Sequence, residues 1–344
     1  MRVAELVAPG GIELACHTIS DPGPGQVQVK VGAVGICGSD VLSFSCGGIG
    51  GMECQYPQVL GHEATGVVVR TGEGVNGWAV GNRVALEPAL YCYHCELCMS
   101  GRHNICERVR FHSSAGVPGF LRECVSLPAE NLLPLPPEID LNYGTLFEPL
   151  AVVLHAMKFA QLQPLETAAV FGAGPIGLLT IALLKMSGAG RTYAIEPVAF
   201  RRELAIQAGA DAAIDPREVA AAVQVARETA GRGVDLTMDC AARKTSLDEC
   251  VETTRNGGRL VVLGIPHELE LPFNWHVARR KELIIYNVRR SNRESETALQ
   301  LLKEQPRQFR FLFTHALPLE RTQSAFEMLR DQSEGAGKVV IVFQ

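Results

Sequence analysis

Residues 168–177 read Ala-Ala-Val-Phe-Gly-Ala-Gly-Pro-Ile-Gly, an apolar run that ends in a G-x-G-x-x-G turn and leads into a second apolar stretch. Few short segments constrain a fold more. The run predicts a buried strand that turns sharply into a helix: Gly172 suits the tight turn, Gly174 leaves the backbone open to a pyrophosphate, and Gly177 lets helix and strand pack closely. Pro175 and Ile176 begin the helix, whose free N–H groups and positive dipole end attract an anion. Thr167 to Leu184 is uncharged and could mimic a membrane span, but Gly172, Gly174, Pro175 and Gly177 interrupt its first half. Such breaks suit a strand, a turn and a buried helix, and not a continuous lipid-facing helix.

The same rhythm continues downstream. Strands are expected at 168–172, 192–196, 212–214, 234–239, 259–263 and 283–288, with helices between them. Six strands joined by right-handed crossovers make a doubly wound parallel sheet, the α/β Rossmann class, over 151–288. Glu196 ends the second strand 19 residues beyond Gly177. An acid there accepts from the adenosine ribose hydroxyls and repels a 2′-phosphate, so NAD is the expected cofactor. The opposing reading makes Glu196 a surface acid and lets Arg201 or Arg202 take the 2′-phosphate of NADP.

Up to residue 150 the chain has short β-branched runs bounded by Gly and Pro, which predicts an irregular, mostly β domain. After Val288 helices are expected near 294–304 and 319–331, and a strand at 339–343. That tail is too short for a domain of its own, so 289–344 is expected to return to the N-terminal domain. Two domains match the prior for 344 residues at about 150 per domain. With 32 Lys and Arg against 37 Asp and Glu, no basic field invites nucleic acid or an anionic membrane. The expected partner is a small molecule. The first residues lack the apolar core of a secretory signal, which gives a cytoplasmic expectation.

Eleven cysteines in such a chain argue against a disulfide framework, and their clustering argues for metal. Cys92, Cys95, Cys98 and Cys106 have the spacing C-x2-C-x2-C-x7-C. Four thiolates this close in sequence can surround one zinc ion and leave no coordination position open, which marks a structural site. An iron–sulfur cluster of the bacterial type would need x3 and a proline at the last step. A second, long-range constellation starts at Cys37 in Gly-Ile-Cys-Gly-Ser-Asp and continues 25 residues later at His62 in Gly-His-Glu. Three protein ligands and one open position make a catalytic zinc, and either Glu63 or Glu148 could be the third ligand.

Taken in order, GICGSD, GHE, the four-cysteine run, FEPL, GAGPIG and Glu196 resemble the zinc-dependent medium-chain dehydrogenase/reductase superfamily, over nearly the whole chain. Within it the sequence is similar to the polyol (sorbitol) and threonine dehydrogenase branch. The resemblance implies a GroES-like, mostly β catalytic domain beside the Rossmann domain, NAD, one catalytic and one structural zinc, and a homotetramer or homodimer. It implies that Cys37, His62 and Glu63 hold the catalytic zinc, that Glu148 acts directly or through water, and that Ser39 carries the substrate proton. It also implies that Arg289 and Asn292 reach the substrate, which suits a hydroxyl-rich or carboxylate-bearing molecule. Two departures stand out: Leu42 replaces the histidine that commonly ends the proton relay, and the loop from Ser43 to Tyr56 is rich in Gly and Cys.

The expected reaction is reversible oxidation of a secondary alcohol in a polyol or sugar-derived substrate, with hydride passing to NAD. An amino-alcohol such as threonine is the alternative substrate. A non-catalytic dinucleotide-binding thiol sensor is the alternative outside enzymology, and it predicts a damaged ligand set.

Overall fold

The computed structural model describes residues 1–343 and divides into two compact units. The first comprises Met1–Pro149, Asn292–Pro306 and the chain from Phe313 onward, and the second comprises Leu150–Ser291 and Arg307–Leu312. The return of the tail therefore begins at Asn292 and is broken by one short segment, 307–312, that clusters with the second unit.

The first unit is built on a seven-stranded sheet. Its central strand, Gln26–Gly35, pairs antiparallel with Glu63–Thr71, and its far end pairs antiparallel with the C-terminal strand Lys338–Val342. Val27, Val29, Val31, Val34, Ala64, Val68, Val339 and Ile341 from these three strands are buried in one apolar core. The sequence 338–342 is charged only at its first residue, and that lysine is itself buried. A three-stranded sheet of Gly11–Cys16, Arg2–Ala8 and Gln58–Val59 and two short two-stranded ribbons belong to the same unit. A helix, Gly38–Cys46, follows the central strand directly, so whatever lies at its start is held against the sheet end.

The second unit is a six-stranded parallel sheet. Its order is Ala212–Ile214, Thr192–Ile195, Ala168–Phe171, Val234–Asp239, Thr254–Val262 and Ile284–Asn287. This is the doubly wound order in which the first and fourth strands neighbour each other, and ligands bind such sheets at the carboxyl ends of those two strands. Strands buried on both faces are near-continuous apolar runs, and Ala168–Phe171 and Thr192–Ile195 are wholly buried. The strand Thr254–Val262 starts five residues before the expected 259, because Thr254 through Gly258 extend although polar and glycine-rich. No helix among the described residues is long and apolar enough to cross a membrane.

Candidate active site and metal centres

Cys37 leaves the end of the central strand and caps the helix Gly38–Cys46, where its backbone N–H donates to Asp40 Oδ2 at 3.2 Å. His62 and Glu63 arrive from the neighbouring strand, and both are buried. Ligand atoms of Cys37, His62 and Glu63 lie within 4.8 Å of one another. A soft thiolate, an imidazole and a carboxylate at that separation fit a zinc ion with room for one more ligand. Glu148, on the helix Phe147–Ala160, is not part of that cluster but lies within reach of its charges. Burial pushes its carboxyl up to about 7, and Glu63 and Glu87 add to the rise while His62 and Lys338 oppose it. Ser39 sits half-buried in the first turn of the helix that Cys37 caps, and Leu42 lies three residues on, on the same face.

Two residues that sequence reasoning passed over organise this cluster. Asp40, buried, gathers the Cys37 and Gly61 backbone N–H groups, the Ser113 hydroxyl and the imidazole of His62. Burial opposes its ionisation, but His62 and these hydrogen bonds outweigh that and hold its carboxyl below the ordinary range. Burial likewise pulls His62 down, and the charges of Asp40 and Cys37 raise it well above its usual value. The second residue is Lys338, whose buried ammonium donates to Glu63 Oε2 and to the Ile36 carbonyl. Asp40 was visible in GICGSD as an acid in the first helical turn, whereas Lys338 left no local signal.

The four-cysteine run folds into a separate lobe around the short helix Glu96–Met99. Ligand sulfurs of Cys92, Cys95, Cys98 and Cys106 all lie within 4.8 Å of one another, with Cys106 to Cys92 at 3.5 Å. Backbone N–H groups of Cys95, Cys98 and Arg108 point at the sulfurs of Cys92, Cys95 and Cys106. Such bonds favour thiolates, and the Cys95 thiol is lowered to about 6 by N–H groups of Cys98 and Glu107. Four sulfurs in this packing have the donor set of a closed tetrahedral zinc site.

Asn292 belongs to this lobe. Its amide donates to the Gly101 carbonyl at 2.8 Å and accepts from the His103 N–H at 3.1 Å. Both ends of the side chain thus help to hold the lobe. Arg289 is exposed and belongs to the other unit.

In the second unit the glycine turn is formed as its spacing requires. Gly172 has φ +88°, and its N–H donates to the Ile195 carbonyl at 2.8 Å. A side chain on Gly177 would run into the Gly172 carbonyl, whereas one on Gly174 would meet nothing within 4 Å. Gly174 is the N-cap of the helix Pro175–Met186, so open space lies against the N–H groups that would receive a pyrophosphate. Ile176 stands in the first turn of that helix. Glu196 is buried, and its two oxygens accept from Ala173 N at 2.8 Å and Val198 N at 2.9 Å. Arg202 is committed to Asp215 and to the carbonyls of Glu196 and Pro197. Arg201 is different: its Nε is buried without a partner, and burial lowers its pKa against the pull of Glu196.

The comparisons agree with this geometry. Residues 23–137 match the alcohol dehydrogenase GroES-like domain, and residues 175–304 match the zinc-binding dehydrogenase family. A sorbitol dehydrogenase of Bacillus subtilis (strain 168) is 32% identical over 95% of this chain and 93% of its own length. A sorbitol dehydrogenase of Arabidopsis thaliana is 30% identical over 99% of this chain and 94% of its own. Among solved structures, galactitol-1-phosphate dehydrogenase from Escherichia coli superposes with a TM-score of 0.89 at 27% identity, covering 100% of both chains. With its two metal-ligand clusters and its dinucleotide turn, the chain belongs to the zinc-dependent medium-chain dehydrogenase/reductase superfamily, on the polyol branch, and is an oxidoreductase that goes with zinc and a nicotinamide dinucleotide.

Proposed function

We propose that this enzyme reversibly oxidises a secondary alcohol of a polyol or sugar-derived substrate, with hydride transfer to NAD. The observation that carries the reading is the cluster of half-buried Cys37 with buried His62 and Glu63, intact and backed by Asp40 and Lys338. A thiol sensor that had lost catalysis would have no need of it. Zinc, when bound there, supplies a Lewis acid for the substrate hydroxyl. Cys37, His62 and Glu63 hold it, Glu148 sets the charge beside it, and Ser39 takes the hydroxyl proton from the substrate and passes it outward. Cys92, Cys95, Cys98 and Cys106 hold a second zinc that shapes the lobe.

Gly172, Gly174 and Gly177 with Pro175 and Ile176 receive the dinucleotide, and Glu196 favours NAD because its carboxylate repels a 2′-phosphate. Arg201 lies beside Glu196 and offers its unpartnered Nε to the adenosine end. The relatives named as sorbitol dehydrogenases support a polyol substrate. None of the eleven cysteines is in a disulfide, which supports the reducing cytoplasm. A homodimer or homotetramer is supported by the edge strand Ile284–Asn287, which leaves Ile284 exposed at the rim of the parallel sheet.

The test is reduced-nicotinamide absorbance with polyols, sugar acids, simple alcohols and threonine, each with NAD and NADP. Turnover of polyols with NAD is expected. Activity confined to threonine or to NADP would replace the substrate or cofactor assignment.

A further inference from the structure

Lys338 is 1% exposed, as is Glu63, its ion-pair partner. An ammonium taken fully out of water costs several kcal/mol unless it is paired and hydrogen-bonded, and an apolar residue of similar length often serves stability as well. A lysine at this position therefore asks for a reason beyond the fold.

The way the pair is built supplies one. The strand Gln26–Gly35 lies between the strand that carries Glu63 and the strand that carries Lys338. Gly35 is in register with Glu63 on one side and Val340 on the other. A Cβ on Gly35 would fall on the Glu63 carboxylate and lie 2.9 Å from Lys338 Cε. The missing side chain is thus a window through which the lysine crosses the central strand to the carboxylate. The other acceptor of the ammonium, at 3.1 Å, is the carbonyl of Ile36, the residue before Cys37. One cation ties the carboxylate of one proposed metal ligand to the backbone that carries another.

We propose that Lys338 is a positioning residue of the catalytic zinc site: by engaging Oε2 of Glu63 it leaves this carboxylate a single oxygen for the ion, and so keeps one coordination position open for the substrate hydroxyl. The inference rests on the zinc reading of Cys37, His62 and Glu63. Without the lysine both carboxylate oxygens are free to grip the ion. The ion is then held longer and the open position is filled.

The test uses the full-length enzyme with cobalt(II) exchanged into the site, because cobalt absorbs more strongly in four-coordinate than in five-coordinate surroundings. Lys338→Met is expected to lose visible d–d intensity, to give up metal to a chelator more slowly, and to lose turnover at saturating substrate. Lys338→Arg is expected to restore the spectrum. Lys338→Gln, which keeps a donor for the Ile36 carbonyl, is the second variant should Lys338→Met not fold, and the same spectral loss is expected of it. A folded Met or Gln variant with the wild-type cobalt spectrum, or with faster metal loss, overturns the proposal. Failure of a different kind is separable: if Cys37→Ser leaves the sulfur-to-cobalt absorption of the otherwise unaltered enzyme unchanged, the zinc reading itself falls.

Discussion

Asp40 Oδ1 stands 3.3 Å from Nδ1 of His62, while the same carboxylate oxygen receives the Ser113 hydroxyl at 2.6 Å and the Gly61 N–H at 3.2 Å. With Nδ1 turned toward Asp40, Nε2 is the nitrogen left for the cluster with Cys37 and Glu63. A carboxylate behind a ligating imidazole fixes its tautomer and ring orientation and raises its basicity. Asp40→Asn keeps the shape and some of the hydrogen bonds but removes the charge. It is expected to weaken metal binding at this site by about 10- to 100-fold, measured by competition with a chelator, with the four-cysteine site unaffected. Unchanged metal affinity would leave Asp40 as a helix-capping residue only.

The two clusters should part company under chelation. The four sulfurs of Cys92, Cys95, Cys98 and Cys106 leave no open position, whereas the Cys37 cluster does. Mild chelation is expected to remove one zinc and the activity together, and to leave the other zinc in place. Cys95→Ser is expected to lower the melting temperature or disturb assembly, because Cys95 also caps the helix Glu96–Met99 through the Cys98 N–H. Loss of chemistry with folding intact in Cys95→Ser would reverse the two assignments.

Glu196 serves the cofactor turn twice in this structure. It ties Ala173 and Val198 together through their N–H groups, and under the proposed function its charge is what favours NAD. Glu196→Ala should weaken NAD more than NADP and narrow the gap between them. Losing a hydrogen bond to a charged acceptor costs roughly 1.5 to 3 kcal/mol, or about 10- to 150-fold in affinity. Binding titrations with both cofactors decide it, and a wild-type preference for NADP would point to Arg201 as the residue that reads the ribose.

How much of this was readable from the chain follows from the range of each contact. The parallel strands were legible because strands buried on both faces are apolar runs between glycines, as at Ala168–Phe171. The cysteine lobe was legible because all four sulfurs fall within fifteen residues, 92–106. Glu63 and Glu148 could not be ranked from spacing, since the choice depends on which carboxylate the folded sheet brings beside Cys37 and His62. Lys338 was invisible for the same reason: its partner lies 275 residues away and is reached only across a glycine in the strand between them. The part Asn292 plays in the lobe was not legible, because an Arg-x-x-Asn pattern carries no information on where the amide points, and here it points at Gly101 and His103.

His112 gives the fold a dependence on pH. It is buried, its Nδ1 is 2.7 Å from the Pro118 carbonyl, and its Nε2 has no partner, so the neutral tautomer donates through Nδ1. Burial lowers its pKa to about 4, with the charges of Arg122 and Arg110 adding to the drop against the Pro118 hydrogen bond. A histidine lowered on folding contributes its full stability above the unfolded value of about 6.5 and loses it as pH falls toward the folded value. The loss should approach about 3 kcal/mol between those limits. In urea unfolding at pH 7 and pH 4.5, His112→Gln is expected to show a smaller difference than wild type. An equal difference in both proteins would assign the acid sensitivity to other groups, the metal ligands first.

The proton path from Ser39 should end without an imidazole at position 42. Leu42 lies three residues beyond Ser39 on the helix Gly38–Cys46, so a histidine there would face the same side as the serine hydroxyl. Leucine has no proton to give or take, and the proton must leave Ser39 through water or another group. His112 is a poor substitute near neutral pH, because its pKa is lowered to about 4 and its Nδ1 is committed to Pro118. Turnover in the wild type should then show no relay ionisation near the ordinary histidine value of about 6.5. Leu42→His should introduce one, with turnover rising as the new imidazole deprotonates and becomes able to accept the proton that Ser39 passes on. The measurement is kcat against pH for both proteins with a saturating alcohol and saturating cofactor. A histidine-like ionisation already present in wild type and unmoved by Leu42→His would show that some other imidazole completes the path, and the shortened relay would be wrong even if Ser39 kept its role.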